Sequence, residues 1–211
     1  MSQNTRDQIL NTAEKLFANN GFAATSLRSI VSLADVNLAA VNYHFGSKEG
    51  LIEAVLERRI TPLNRERIAL LEALETDYSD TSIPVEKILE SLVAPALRLS
   101  RNINDGGEVF TRLLGRAYVE PDEDWQRRME ALFGETATRF MGALKKSVPS
   151  IPQDEFFWRI HFCIGAMAHT MCDPFRVHIL SKEVCSPDNL DQLVSQLVTF
   201  LSAGMNASPA N

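Results

Sequence analysis

TSLRSIVSLADVNLAAVNYHFGSK, residues 25 to 48, reads as two short helices joined by a tight turn, and this pair decides the architecture. From Ser26 to Ala34, the residues Leu27, Ile30, Val31 and Ala34 recur at spacings of three and four and therefore share one face, with Thr25 in front as a side-chain cap. Asp35 and Val36 break the first helix. Asn37 is set to cap a second helix over Leu38 to His44, whose Val41 points back towards the first while Leu38, Ala39, Asn42 and Tyr43 face outward. This arrangement matches the helix-turn-helix, in which the N-terminal end of the second helix enters the DNA major groove.

Upstream, Thr5 to Asn20 is amphipathic, with Ile9, Leu10, Ala13, Leu16 and Phe17 on one face, Thr5 and Gln8 spaced as a capping box, and Gly21 as the stop. That face suffices to cover the helix pair and close a three-helix domain. Downstream, Gly46 and Ser47 interrupt the chain, and Ser47 caps a fourth helix carrying Leu51, Ile52, Ala54, Val55 and Leu56, which connects to the rest. From Thr61 and Pro62 onward the periodicity stays helical and no stretch alternates as a strand would. Breaks fall at residues 76 to 84, 102 to 107, 120 to 123, 147 to 153 and 181 to 187, leaving five or six further helices. Pro95 should kink one of them, and Met205 to Asn211 reads as a frayed tail. The expected fold class is all-α, with a helix-turn-helix domain over residues 1–46 and a helical domain over residues 47–211.

With 211 residues, 45% hydrophobic and 23% charged, the chain has an ordinary globular composition. Its three cysteines, Cys163, Cys172 and Cys185, form no C-x-x-C pair, so a disulfide framework is not expected and a reducing cytoplasm fits. Met1 to Asn4 is polar, so no signal peptide is expected. Nor is a membrane span: the uncharged run Ile160 to Cys172 falls well short of roughly 18 residues. The net charge of −6 does not announce nucleic acid. Within residues 1 to 55, Arg6, Lys15, Arg28 and Lys48 stand against Asp7, Glu14, Asp35, Glu49 and Glu53. Helix N-termini after Thr25, Asn37 and Ser47 could instead offer backbone N–H groups and positive dipole ends to phosphates.

The ordered set Ala13, Leu16, Phe17, Gly21, Thr25, Leu27, Ile30, Ala34, Val36, Tyr43, His44, Phe45, Lys48, Glu49 and Leu51 resembles the TetR family of bacterial transcription regulators over residues 6 to 55. One departure is Asn42, where the family commonly has an aromatic, so that position's usual role does not carry over. The local form NLAAVNYHFGSKEGL resembles a subgroup that includes the PsrA-type regulators of fatty-acid metabolism. The resemblance implies a homodimer on a palindromic operator in double-stranded DNA, acting as a repressor and released by a small apolar or acyl ligand such as a fatty acid or acyl-CoA.

For contact with DNA, Thr25, Ser26, Tyr43, His44 and Lys48 are expected to position the protein on phosphates, while Arg28, Asn37, Leu38, Ala39 and Asn42 are expected to read bases. His44 could equally be a packed hinge residue. For subunit pairing, Ile164 and Met167 lie on an almost wholly apolar helix, and Leu190, Leu193, Val194, Leu197 and Leu201 form a near-heptad stripe; burial within one subunit is the alternative. For a ligand, residues 110 to 175 hold bulky and adaptable apolar groups that either line a cavity or fill a core. Phe110, Leu114, Phe133, Phe140, Met141, Phe157 and Met171 are the apolar candidates, and Arg112, Arg116, His161 and His169 could meet a head group. His161, His169 and Cys172 share a helix side but lack a further ligand, so buried His and Cys explain them better than a metal. No cofactor is expected. G-x-S-x-G, H-E-x-x-H and G-x-x-x-x-G-K-[ST] are all missing, so no catalytic motif supports an enzyme. The rival readings are a constitutive DNA-binding protein that recruits a protein partner, and a helical protein that has lost DNA binding.

Overall fold

The computed structural model describes residues 2–102, 106–119, 123–173 and 175–209, the side chains of 2–4, 108, 116–119 and 123–125 excepted, and every regular element among them is an α-helix. In chain order these are α1 (Ser2–Asn20), α2 (Leu27–Leu33), α3 (Leu38–Phe45), α4 (Lys48–Asp77), α5 (Val85–Arg101), α6 (Gly107–Val119), α7 (Glu123–Ser147), α8 (Gln153–Cys172), α9 (Arg176–Leu180) and α10 (Leu190–Asn206). Helix α1 starts before the predicted capping box, so Thr5 lies inside it. It ends where expected, at Gly21, whose φ of 85° only glycine adopts freely and whose amide bonds the Phe17 carbonyl at 2.9 Å. Helix α4 runs through Pro62 for 30 residues, about 45 Å. A proline removes one helical hydrogen bond. Here Ile60, Leu63 and Leu71 keep one buried stripe going across it, and that burial offsets the loss. Pro95 is likewise inside an unbroken α5, and buried.

The chain divides into two compact units, Met1–Pro62 with Ile103–Leu132, and Leu63–Asn102 with Phe133–Asn211. In the first, α1 packs on α2, α3 and α6. Its core joins Ile9, Leu10, Ala13 and Phe17 to Ile30, Val41, Leu51, Val55 and Phe110. Glu14 is buried among them, and its carboxylate takes hydrogen bonds from Arg58 and, at 2.8 and 3.2 Å, from Arg59. In the second unit α10 lies along α5, and both contact α8. The core there is Ile88, Leu89, Val93, Ala96 and Leu97 with Phe140, Leu144, Phe156, Leu201 and Met205. The tail is not frayed through Ser208. The buried Arg159 donates from Nη1 to the carbonyls of Met205 and Ala207, both at 2.8 Å, and from Nη2 to Ser208 at 3.1 Å, while pairing with Glu155 at 2.5 Å.

Candidate nucleic-acid interface

Ser26, not Thr25, caps α2. The Ser26 Oγ accepts the Ser29 amide at 3.1 Å, and the Ser29 hydroxyl returns a bond to the Ser26 carbonyl at 2.7 Å. Thr25 is buried instead, its hydroxyl directed at the carbonyls of Gly21 (2.7 Å) and Leu16 (3.2 Å), so it ties the loop back onto α1. The turn then passes through Asp35 at φ 51°, a left-handed conformation that Asp tolerates better than a branched residue. Asn37 caps α3 as expected, its Oδ1 accepting the Ala40 amide at 2.8 Å. Removing that acceptor by Asn37→Ala should cost about 1 kcal/mol, read as a lower midpoint in thermal unfolding of the full chain.

With α3 anchored at its start, Val41 points inward and is fully buried. Leu38 is left 43% and Tyr43 83% exposed, with Ala39 and Asn42 also in solvent, so the four side chains form one outward strip. Tyr43 meets the His44 ring edge-on at 5.0 Å. His44 is half-buried against Phe45, over which the Arg6 guanidinium lies at 5.4 Å. Arg28 is exposed on α2, and Lys48 bonds the Ala23 carbonyl at 3.3 Å, closing the start of α4 onto the loop before α2. Neither α2 nor α3 has a carboxylate in its first turn, so both positive helix ends are open to an anion. Helix α4 differs. Ser47 accepts the Gly50 amide at 3.2 Å, and Glu49 is held below the usual carboxylate range by its own amide and by the Ser47 hydroxyl, so an internal anion already occupies that end.

The predicted ligand residues divide between the units. Phe110, fully buried, Leu114 and the exposed Arg112, which donates to Asn19 at 3.1 Å, belong to the first; the Arg116 side chain lies outside the described residues. In the second unit Phe140 and Met171 are buried, Phe133 and Met141 half-buried, and Phe157 and His161 on the surface. His169 and Cys172 are exposed too, which corrects the expectation that His161, His169 and Cys172 are core residues. Among the described residues no three His, Cys, Asp or Glu side chains gather as a metal site.

Of the residues assigned to subunit pairing, Leu197 and Leu201 are buried within their own unit. Met167 and Leu193 are half-buried, and Ile164 is exposed. Leu190 and Val194 line a half-open groove of about 430 Å³ between α5 and α10, with Glu86, Glu90 and Arg98 on its walls. The outward aromatic residues of these helices are Phe157, Trp158, Phe162 and Phe200.

Arg67 on α4 went unnoticed in the sequence. It is only 3% exposed, and burial pulls its pKa down to about 10. Its Nε donates to the Leu92 carbonyl at 2.8 Å, Nη1 to Asn64 Oδ1 at 3.4 Å and Nη2 to the Met167 sulfur at 3.6 Å. A signal was present, because Arg67 falls in the apolar stripe of Ile60, Leu63 and Leu71 at helical spacing. No helix among the described residues is long and apolar enough to cross a membrane.

Two family models match the chain: bacterial regulatory proteins of the tetR family over residues 9–55, and the tetracyclin repressor-like C-terminal domain over residues 90–204. The HTH-type transcriptional regulator TtgR of Pseudomonas putida is 41% identical over 56 residues, 26% of this chain and 27% of that protein. The HTH-type transcriptional repressor NicS, also of Pseudomonas putida, is 37% identical over 90 residues, 43% of this chain and 39% of that one. The chain thus spans about a quarter of the first relative's length and about two fifths of the second's. Among solved structures, the fatty acid degradation regulator FadR from Bacillus halodurans superposes with a TM-score of 0.64 over 97% of each chain at 13% identity, a likeness of fold. With the C-terminal match alone spanning more than half of its residues and the helix-turn-helix match preceding it, the chain belongs to the TetR family of bacterial regulatory proteins.

Proposed function

We propose that the chain is a transcriptional repressor that binds a palindromic operator as a homodimer and leaves it when a small apolar ligand binds. Residues 1–46 would read DNA, and residues 47–211 would pair the subunits and hold the ligand. The observation that carries the reading is the outward strip of Leu38, Ala39, Asn42 and Tyr43, fixed by an inward Val41 and a capped start on a helix with no first-turn carboxylate. A rigid strip of this kind is what the major groove admits. Ser26, Arg28, Asn37, His44 and Lys48 flank it as phosphate and base contacts, and Thr25 acts through the loop it braces.

The repressor direction follows the likeness to NicS, and the ligand class follows both the local resemblance to PsrA-type regulators and the fold likeness to a fatty acid degradation regulator. Release would be a population shift: a ligand favouring the form with badly spaced recognition helices by a couple of kcal/mol changes operator affinity about thirtyfold. Sequencing the DNA retained by the purified protein, then adding fatty acids and acyl-CoAs to the complex, tests the whole reading. Retention of no particular sequence sinks the DNA half, and release by no acyl compound sinks the ligand half. On the recovered operator, Asn42→Ala should change which base is preferred, whereas Lys48→Ala should weaken all variants alike. Equal loss on every operator variant for both would remove the division between reading and positioning.

A further inference from the structure

We propose that Arg67 is the anion-binding end of an effector site in the second unit, taking the carboxylate of a monocarboxylic ligand whose apolar chain lies along the face of α8 that carries Cys163, Met167 and Met171. The inference rests on the proposed ligand control and gives it a residue and a head-group chemistry.

Arg67 is a guanidinium held out of water. It carries five N–H donors and a fixed charge, and a buried cation is normally given a carboxylate or a full set of oxygen acceptors. The second unit contains such a case. Arg159, 8% exposed, has Glu155 and the three carbonyls of Met205, Ala207 and Ser208. The surface arginines Arg98, Arg139 and Arg176 also have carboxylates, in Glu66, Glu75 and Asp173. Arg67 is buried more deeply than any of these, and among the described residues no carboxylate lies within ion-pair distance of it. One good oxygen acceptor, the Leu92 carbonyl, meets Nε and fixes the orientation of the plane. The two terminal nitrogens have only a long bond to Asn64 and a thioether, which a stronger acceptor displaces readily.

Nη1 and Nη2 are the fork that binds a carboxylate with two parallel bonds. A single charge is the right match for one buried cation, since a dianion would leave a charge uncompensated out of water. The surroundings specify the rest of the ligand. Cys163 and Met171 are buried one turn to either side of Met167 on α8, so this face is apolar and shielded, and the same burial pushes the Cys163 thiol up to about 11. On α5, Ile88, Leu89, Val93 and Ala96 are buried around Leu92. Methionine side chains change shape at little cost and make room for an alkyl chain. Arg101 is the rival anchor. Its Nε and Nη2 are buried without an acceptor, but it lies under Phe175 at the end of α5, nine residues beyond Leu92 and about 13 Å along the helix.

Titration calorimetry on the full chain with decanoate, decanol and decanoyl-CoA tests the assignment. Decanoate should bind at least about 30-fold more tightly than decanol, and Arg67→Met should bring decanoate down to the level of decanol. Without ligand Arg67→Met should unfold at the same temperature or higher, because it replaces an unpaired buried charge by an apolar chain of similar length. Arg67→Lys, which keeps the charge and loses the fork, should weaken decanoate about tenfold while folding normally. Equal affinity of the wild type for decanoate and decanol overturns the proposal. So does undiminished decanoate binding by Arg67→Met or Arg67→Lys, and so does loss of decanoate binding in Arg101→Met alone. A wild type that binds none of the three overturns it together with the acyl-ligand reading, and that outcome is separate from the others because it appears before any substitution.

Discussion

Glu14→Ala is expected to lose on the order of 3–5 kcal/mol of stability and to abolish operator binding near physiological temperature. The carboxylate is 3% exposed and is the shared acceptor of two adjacent guanidiniums. Arg58 reaches it while donating to Asn11 at 2.8 Å, and Arg59 grips it with Nε and Nη2. Both arginines come from α4, so this cluster clamps α4 to α1 and thereby holds the helix that packs on α2 and α3. Alanine at 14 leaves two largely desolvated cations facing each other, and Arg58 Nε is already buried without a partner. The loss comes from the stranded charges rather than from the worth of the pair itself. Thermal unfolding by circular dichroism measures it, with Glu14→Gln as the intermediate case that keeps shape and one acceptor. Lys87→Ala is the contrast. That pair with Glu90 is more than half exposed on both sides and should contribute well under 1 kcal/mol. A Glu14→Ala midpoint indistinguishable from that of Lys87→Ala would mean that the cluster is a surface pair in solution.

Glu14 also marks what could and could not be taken from the sequence. Counted as a charge, it helped make residues 1 to 55 look acidic and set composition against DNA. Folded, it is neutralised inside the unit and contributes nothing to the outward face, while Glu53 faces Arg128 at 3.8 Å. Patterns that depend on one helix were legible: the inward Val41, the Asn37 cap, the Gly21 stop and the all-helical class. Choices that depend on a neighbour were not. Thr25 and Ser26 are both good caps, and only the Gly21 and Leu16 carbonyls drew the Thr25 hydroxyl inward. The proline rule at Pro62 was overridden by a buried stripe that continues beyond it. On α10, a heptad-like row looks the same whether it meets a second subunit or its own α5, and packing puts Leu197 and Leu201 on the inner side. Bulky residues that cluster in sequence need not cluster in space, and the charge at Arg67 shows as buried only through its place between Leu63 and Leu71 on one helical stripe, not through any apolar pattern.

The paired substitution Phe162→Glu with Phe200→Glu is expected to give a monomer at micromolar concentration by analytical ultracentrifugation and to weaken binding to a full palindrome by about 10²- to 10⁴-fold. Phe162 is 63% and Phe200 70% exposed, and Trp158 stacks on Phe162 at 6.0 Å between ring centres, so α8 and α10 present aromatic surface that a soluble monomer would rarely leave uncovered. In the proposed homodimer, α8 and α10 of one subunit cover this surface with the same two helices of the second copy, four helices in all. Four carboxylates, two from each subunit, would have to lose their water inside such an interface with no cation to meet them, which adds a desolvation cost to the lost burial. Inside one subunit the same change costs little, because both side chains already stand in water, so the unfolding midpoint extrapolated to low concentration should hardly move. The functional loss is one of linkage. Each recognition helix keeps its contacts, and affinity for an isolated half-site should stay within about twofold of the parent's, while the advantage of binding two half-sites at once disappears. A double variant that still sediments as a dimer would place the subunit contact elsewhere. One that becomes monomeric yet holds the full operator as tightly as before would remove pairing from the account of DNA binding altogether.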